Sequence, residues 1–150
     1  MSWKGYIDSL METNLLDHAA IIGVNDGKVY ASSDGFSMTV HQGSLVNERG
    51  EKKEFLVDEY HIMLDIFSKK GMVNDPPGIW VNNQRYHLLI YQEDNNAAYL
   101  KCKNGGACVV KTAKTIVIGT FTNDKDVKKT GGACNSIIED FAEQLVKANF

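Results

Sequence analysis

The chain has 150 residues, 43% hydrophobic and 23% charged, the length and composition of one globular domain with a single core. Its formal net charge of −3 argues against wholesale nucleic-acid binding, which shows as a basic domain or face, and leaves room only for local basic patches. No apolar run approaches the roughly 20 residues that span a bilayer, and the first residues lack the charged-then-apolar layout of a signal peptide, so a cytosolic protein is expected. Cys102, Cys108 and Cys134 are an odd number without C-x-x-C spacing; reduced thiols are expected, with no disulfide framework, metal site or cofactor.

Trp3, Tyr6, Ile7, Leu10 and Met11 keep helical spacing behind Ser2, a residue suited to N-capping. Trp3 and Tyr6 share one face, so this short helix offers an aromatic surface that must dock on the protein or meet a partner. At about ten residues it is marginal alone and needs a surface to lie on. Residues 19–24 and 28–31 flank Asn25-Asp26-Gly27, and Asp-Gly predicts a tight hairpin turn with positive φ angles. From Gln42 to Glu54 the chain is polar and charged, which predicts a solvated, protruding loop.

Val57, Tyr60, Leu64 and Phe67 mark a second amphipathic helix, ended by Ser68-Lys69-Lys70-Gly71, where lysines complement the last carbonyls and Gly71 suits a left-handed cap. Asn74-Asp75-Pro76-Pro77-Gly78 blocks its resumption. Residues 79–81, 86–92, 97–103, 107–112 and 115–122 read as strands, and the short links between them force antiparallel pairing. From Cys134 to Ala148, Ile137, Ile138, Phe141, Leu145 and Val146 line one broad face of a third helix. This order predicts an α+β domain whose sheet carries helices across its faces.

Several segments together resemble the profilin family. They are Met1-Ser2-Trp3-Lys4-Gly5-Tyr6-Ile7-Asp8, Ala19-Ala20-Ile21-Ile22-Gly23 and Asp26-Gly27-Lys28-Val29-Tyr30-Ala31, then Gln84-Arg85-Tyr86, Gly105-Gly106, Lys111-Thr112 before Thr115-Ile116-Val117-Ile118-Gly119, and Gly131-Gly132-Ala133-Cys134-Asn135. The resemblance covers nearly the whole chain in one order. It implies a central antiparallel β-sheet with N- and C-terminal helices packed on one face and shorter helices on the other. The chain would then be a single profilin-like domain, with a charged surface-loop insertion at about 42–56. It also implies a cytoplasmic monomer of the actin cytoskeleton that binds monomeric actin, promotes exchange of its nucleotide, and binds proline-rich segments of assembly factors such as formins as well as phosphoinositides. No catalysis is implied.

By the same resemblance, the proline-rich site corresponds to Trp3, Tyr6, Tyr30, Gln144 and Phe150. Aromatic planes suit the flat ring faces and unpaired carbonyls of a polyproline II segment. Tyr30 stands where many members have Trp, Gln144 where vertebrate forms have His, and Phe150 where a Tyr is usual. Phe150 therefore stacks but donates no hydrogen bond. The actin face corresponds to Arg85, His87, Lys103, Gly132, Asn135, Ser136, Glu139 and Asp140, with Ser136 replacing a lysine of animal members and Glu139 standing at an aromatic position. Lys101, Lys111, Lys114, Lys125, Lys128 and Lys129 are the phosphoinositide candidates, worth about 1 kcal/mol per well-placed lysine, although scattered lysines also keep strand edges soluble.

Two other readings stand beside this one. The first is a profilin-like adaptor that kept the proline groove and weakened its actin binding. The second is a thiol enzyme using Cys134, whose place at a helix start favours thiolate, although His18, His41, His61 and His87 show no motif spacing to it. The paired glycines lack the Lys-Ser/Thr of a phosphate loop and read as turns.

Overall fold

A computed structural model of the chain describes residues 2–74, 77–123 and 129–150. Helix α1 (Trp3–Glu12) begins at Ser2, whose hydroxyl accepts the Gly5 N–H at 3.0 Å, the expected N-cap. Strands β1 (His18–Gly23) and β2 (Val29–Ser32) pair antiparallel, with a bulge between Ile21 and Ile22. Their turn departs from the tight Asp-Gly form. Gly27 has φ +67 but Asp26 is not in the left-handed region, and its carboxylate instead accepts the Lys28 N–H at 3.0 Å. The bulge absorbs the extra residue.

The segment expected as a loop insertion at 42–56 is a hairpin. β3 (Val40–Val46) and β4 (Lys52–Asp58) pair without a break from Val40↔Asp58 to Val46↔Lys52, and only 47–51 form the tip. There the Asn47 side chain accepts the N–H groups of Arg49 and Glu51, each at 2.9 Å. A two-stranded ribbon buries one face and leaves the other to solvent, so its charges hid the pattern. His41 and Phe55 turn inward, with ring centroids 5.5 and 6.4 Å from that of Trp80. Between them Gly43 leaves no room for a side chain: a Cβ there would lie 2.7 to 3.2 Å from Phe55, Val57 and Trp80.

Helix α2 (Glu59–Ser68) starts later than the spacing predicts, because Val57 belongs to β4 and Asp58 caps the helix through the His61 N–H at 3.2 Å. Gly71 closes it as expected, its N–H reaching the Ile66 carbonyl at 2.7 Å. The remaining strands are β5 (Ile79–Val81), β6 (Gln84–Gln92), β7 (Ala97–Cys102), β8 (Gly105–Lys111) and β9 (Thr115–Thr122). They complete an antiparallel sheet in the order β2-β1-β9-β8-β7-β6-β5. Helix α3 (Gly131–Lys147) starts three residues before Cys134, where the Thr130 hydroxyl accepts the Ala133 N–H at 3.1 Å.

The sheet separates two cores. Ile7 and Leu10 of α1 and Ile138, Phe141 and Leu145 of α3 pack on Ile21, Cys108, Val110 and Val117. On the opposite face Met63, Ile66 and Phe67 of α2 pack on Ile22, Val109, Ile116 and Ile118. Central strands β8 and β9 are covered on both faces, which explains their unbroken apolar runs. The first and last helices thus share one face. On the other, α2 is the only helix among the described residues, and the β3–β4 hairpin lies next to it.

Candidate ligand-binding surfaces

Helical periodicity turns Ile7 and Leu10 into the core and leaves Trp3 and Tyr6 half-buried at its margin. The Trp3 ring lies 5.4 Å from that of Tyr30 and 6.1 Å from that of Tyr6, and it meets the Phe150 ring edge-on at 5.0 Å. Tyr30, on edge strand β2, is 38% exposed. Phe150 is held by its backbone: its N–H donates to the Leu145 carbonyl at 2.9 Å, and its oxygen accepts the Lys114 N–H at 2.6 Å and the Thr112 hydroxyl at 3.0 Å. The Lys114 ammonium stands over the Phe150 ring, 5.6 Å from its centroid.

From Tyr6 a cleft of about 310 Å³ continues between α1 and α3, lined by Ser9, Leu10, Ile137, Asp140, Phe141 and Gln144. Four of the five predicted proline-site residues therefore form one aromatic patch, and Gln144 borders the cleft that extends it. Phe141 was missed as part of this surface. It meets Tyr6 edge-on at 5.3 Å, and its spacing of three residues from Gln144 was the available signal.

The second surface lies on the same side of the sheet. Helix α3 packs mainly on β8 and β9, which leaves this face of β6 open. Tyr86 and Leu88 point to the α2 core, so the alternate residues Arg85 and His87 face the α3 side, and His87 pairs with Lys101. A register shift between Leu88 and Ile90 then exposes two apolar side chains in succession, Leu89 at 59% and Ile90 at 51%. Sequence reasoning placed both inside a strand; three consecutive apolar residues, Leu88-Leu89-Ile90, were the sign that one face must spill outward. A cleft of about 230 Å³ brings Leu89 and Lys101 together with Gly131 and Asn135 at the start of α3. Gly132 and Ser136 are exposed on the same first turns.

Three actin-face candidates lie elsewhere or are engaged. Lys103 lines a separate cleft with His18, Gln84 and Asn104, and Asp140 borders the α1–α3 cleft. Glu139 accepts the hydroxyl of Tyr99. Burial, and next the Glu139 carboxylate, push that hydroxyl well above the ordinary tyrosine range.

Among the described residues the candidate lysines do not converge on one place. Lys111 and Lys114 flank the β8–β9 turn, whereas Lys101 is toward the other end of β7. Lys129 is tied to Asp17 at 2.6 Å. Burial works to raise the Asp17 carboxyl, but the Lys129 hydrogen bond and charge, with Thr122, outweigh it and hold that carboxyl below the usual carboxylate range. Lys125 and Lys128 lie outside the described residues.

Cys134 does not fit the thiolate expected at a helix start. It is fully buried, its thiol donates toward the Gly119 carbonyl at 3.5 Å, and burial pushes its pKa up to about 12. Desolvation overrides the helix dipole here. Among the described residues no group of three or more His, Cys, Asp or Glu side chains is arranged to hold a metal ion, and no helix is long and apolar enough to cross a membrane.

The architecture is that of an antiparallel sheet with its first and last helices packed side by side over one face and an aromatic patch where they meet. A family model described as Profilin matches residues 1–150, and the chain belongs to the profilin family. It is 31% identical over 153 residues to the profilin of Tetrahymena pyriformis, a match spanning 99% of this chain and 98% of that protein. Acanthamoeba castellanii profilin II shares the fold with a TM-score of 0.76 at 25% identity, over 99% of this chain and 100% of that one. Mouse profilin IIa in complex with a double repeat from the FH1 domain of mDia1 matches over 100% of both chains, with a TM-score of 0.67 at 17% identity.

Proposed function

We propose that this chain is a cytoplasmic actin-monomer-binding protein that regulates actin polymerisation and nucleotide exchange, and that its α1–α3 groove captures proline-rich segments of assembly factors such as formins. It acts by binding and not as an enzyme. The observation that carries the reading is the cluster of Trp3 with Tyr30 and Phe150 at 5.0 to 5.4 Å, held partly exposed by a backbone anchor. A polyproline II segment is preorganised, so docking on a rigid aromatic surface costs little ordering entropy. The mouse relative holding an FH1 double repeat supports the same occupant.

For actin, the open face of β6 with the start of α3 has the make-up of a protein interface. Leu89 and Ile90 form an apolar centre, and Arg85, His87, Lys101, Asn135 and Ser136 form a polar rim. The test is polymerisation of pyrene-labelled actin, which this protein is expected to slow, with Leu89→Asp and Ile90→Asp relieving the effect. Full slowing by both variants would contradict this face.

One observation favours a second reading, an adaptor with weakened actin binding: Glu139 already accepts the hydroxyl of Tyr99 within the protein. Binding of a proline-rich peptide without any slowing of polymerisation would decide for it. Phosphoinositide headgroups are a third ligand class in the proposal, through Lys111 and Lys114, which flank the β8–β9 turn. Vesicles with and without phosphoinositide test it, and equal binding to both rejects it.

A further inference from the structure

The groove between α1 and α3 has a charge of opposite sign at each end. The Lys114 ammonium stands over the Phe150 ring at one end, while Asp140, exposed on α3 between this cleft and a neighbouring one lined by Lys111 and Glu143, borders the part lined by Tyr6 and Gln144. Along the two helices Lys4 pairs with Asp8 at 3.5 Å and Lys147 with Glu143 at 3.4 Å, and Glu139 accepts the Tyr99 hydroxyl. Among the described residues, neither Lys114 nor Asp140 has an ion-pair partner.

The spacing suits a short proline run. From Trp3, in contact with Phe150, to Leu10, which borders the Asp140 end, α1 advances about 10 Å. Lys114 lies past Trp3, over Phe150, whereas Asp140, next to Phe141 on α3, lines the stretch from Tyr6 to Leu10; six prolines in the polyproline II form extend about 19 Å and reach across both.

We infer that the groove is bipolar and selects proline-rich segments whose short proline run is bounded by an acidic residue on one side and a basic residue on the other. This rests on the proline-binding reading above and adds the class of sequence preferred. A proline run offers similar ring faces and carbonyls whichever way it lies, so the uncharged part of the ligand supplies affinity with little selection. Flanking charges supply the selection. A segment with two acidic flanks gains at Lys114 and loses at Asp140, and one with two basic flanks does the reverse; only the mixed segment is matched at both ends. Both groups are exposed, so the preference is modest and screened by salt.

The experiment measures affinities of the whole chain by calorimetry for four peptides built on six prolines: uncharged, Glu at both ends, Lys at both ends, and one of each. At low salt the mixed peptide is expected to bind about two- to fivefold tighter than either like-charged peptide, with the advantage fading at high salt. Lys114→Glu should make the Lys-flanked peptide the tightest binder, and Asp140→Lys should do so for the Glu-flanked peptide. Binding of the uncharged peptide with no difference among the charged ones, or a ranking unmoved by either substitution, overturns the bipolar groove alone. Failure of every peptide, the uncharged one included, overturns the proline reading and this inference with it.

Discussion

The ring of Phe150 stands edge-on to that of Trp3 at 5.0 Å, and the contact is set by the backbone of Phe150 more than by its side chain. The Thr112 hydroxyl donates to the Phe150 oxygen at 3.0 Å and accepts the Thr115 N–H at 3.0 Å, while the two threonine hydroxyls lie 2.5 Å apart. Thr112 and Thr115 are buried, so this small polar network is well shielded from water. The β8–β9 turn thereby positions one wall of the aromatic groove.

Thr112→Val should therefore cost about 1–3 kcal/mol of stability, since it leaves the buried Thr115 N–H without its acceptor. It should also weaken proline-peptide binding by loosening Phe150, whereas Thr112→Ser retains both. Urea denaturation with peptide titration checks this. Wild-type peptide affinity in the valine variant would show that the turn does not position the groove.

Phe150→Tyr restores a hydroxyl at the edge of the groove. A phenol there can donate to a ligand carbonyl, which phenylalanine cannot, so the variant should bind a proline-rich peptide several-fold tighter, on the scale of one net hydrogen bond. Identical affinities would show that stacking alone suffices at this position.

The Asp17–Lys129 pair makes stability depend on pH in the acid range. The folded-state pKa of Asp17 is depressed below its ordinary 3.8, so the pair's contribution is complete well above that value. It is lost as pH falls from there through the folded pKa, because the unfolded state takes up a proton that the folded state binds only weakly. Wild type and Lys129→Ala should differ most in Tm near neutral pH and converge as pH falls below the ordinary carboxylate value of 3.8 and through the lowered folded-state pKa. A constant difference down to acid pH would contradict the linkage.

Glu59 ties three elements together. It is fully buried, and one carboxylate oxygen accepts the His41 ring N–H at 2.8 Å and the Asn83 N–H at 3.1 Å, joining α2 to the hairpin and to the β5–β6 turn. Glu59→Ala should destabilise the fold by about 3 kcal/mol, because it strands both donors. A change within 0.5 kcal/mol, roughly that of an ordinary surface substitution, would show the tie to be dispensable.

The features legible in the sequence are those written in local patterns. The Ser2 cap, the inward stripe of Ile7 and Leu10, and strand β9 at 115–122 follow from spacing and turn residues within a few positions. The β3–β4 hairpin was hidden because its apolar face is short and rests on Trp80, more than twenty residues onward. The Tyr99–Glu139 contact spans 40 residues and depends on how α3 crosses β7. The anchoring of Phe150 had no signal at all, since a backbone oxygen carries no side-chain code. For the site itself, the aromatics of the groove were legible through their resemblance to one family, whereas Leu89 and Ile90 surfaced only once the strand's irregular register was seen.

The groove formed by α1 and α3 is the centre of this account, and calorimetric titration of wild type and Trp3→Ala with a proline-rich peptide tests it most directly. Trp3 touches Tyr6, Tyr30 and Phe150 at once, so its truncation should weaken binding by about thirtyfold or more, the scale of an interface hot spot, while the fold persists because Ile7 and Leu10 still dock α1. Equal affinity in the two proteins would contradict it.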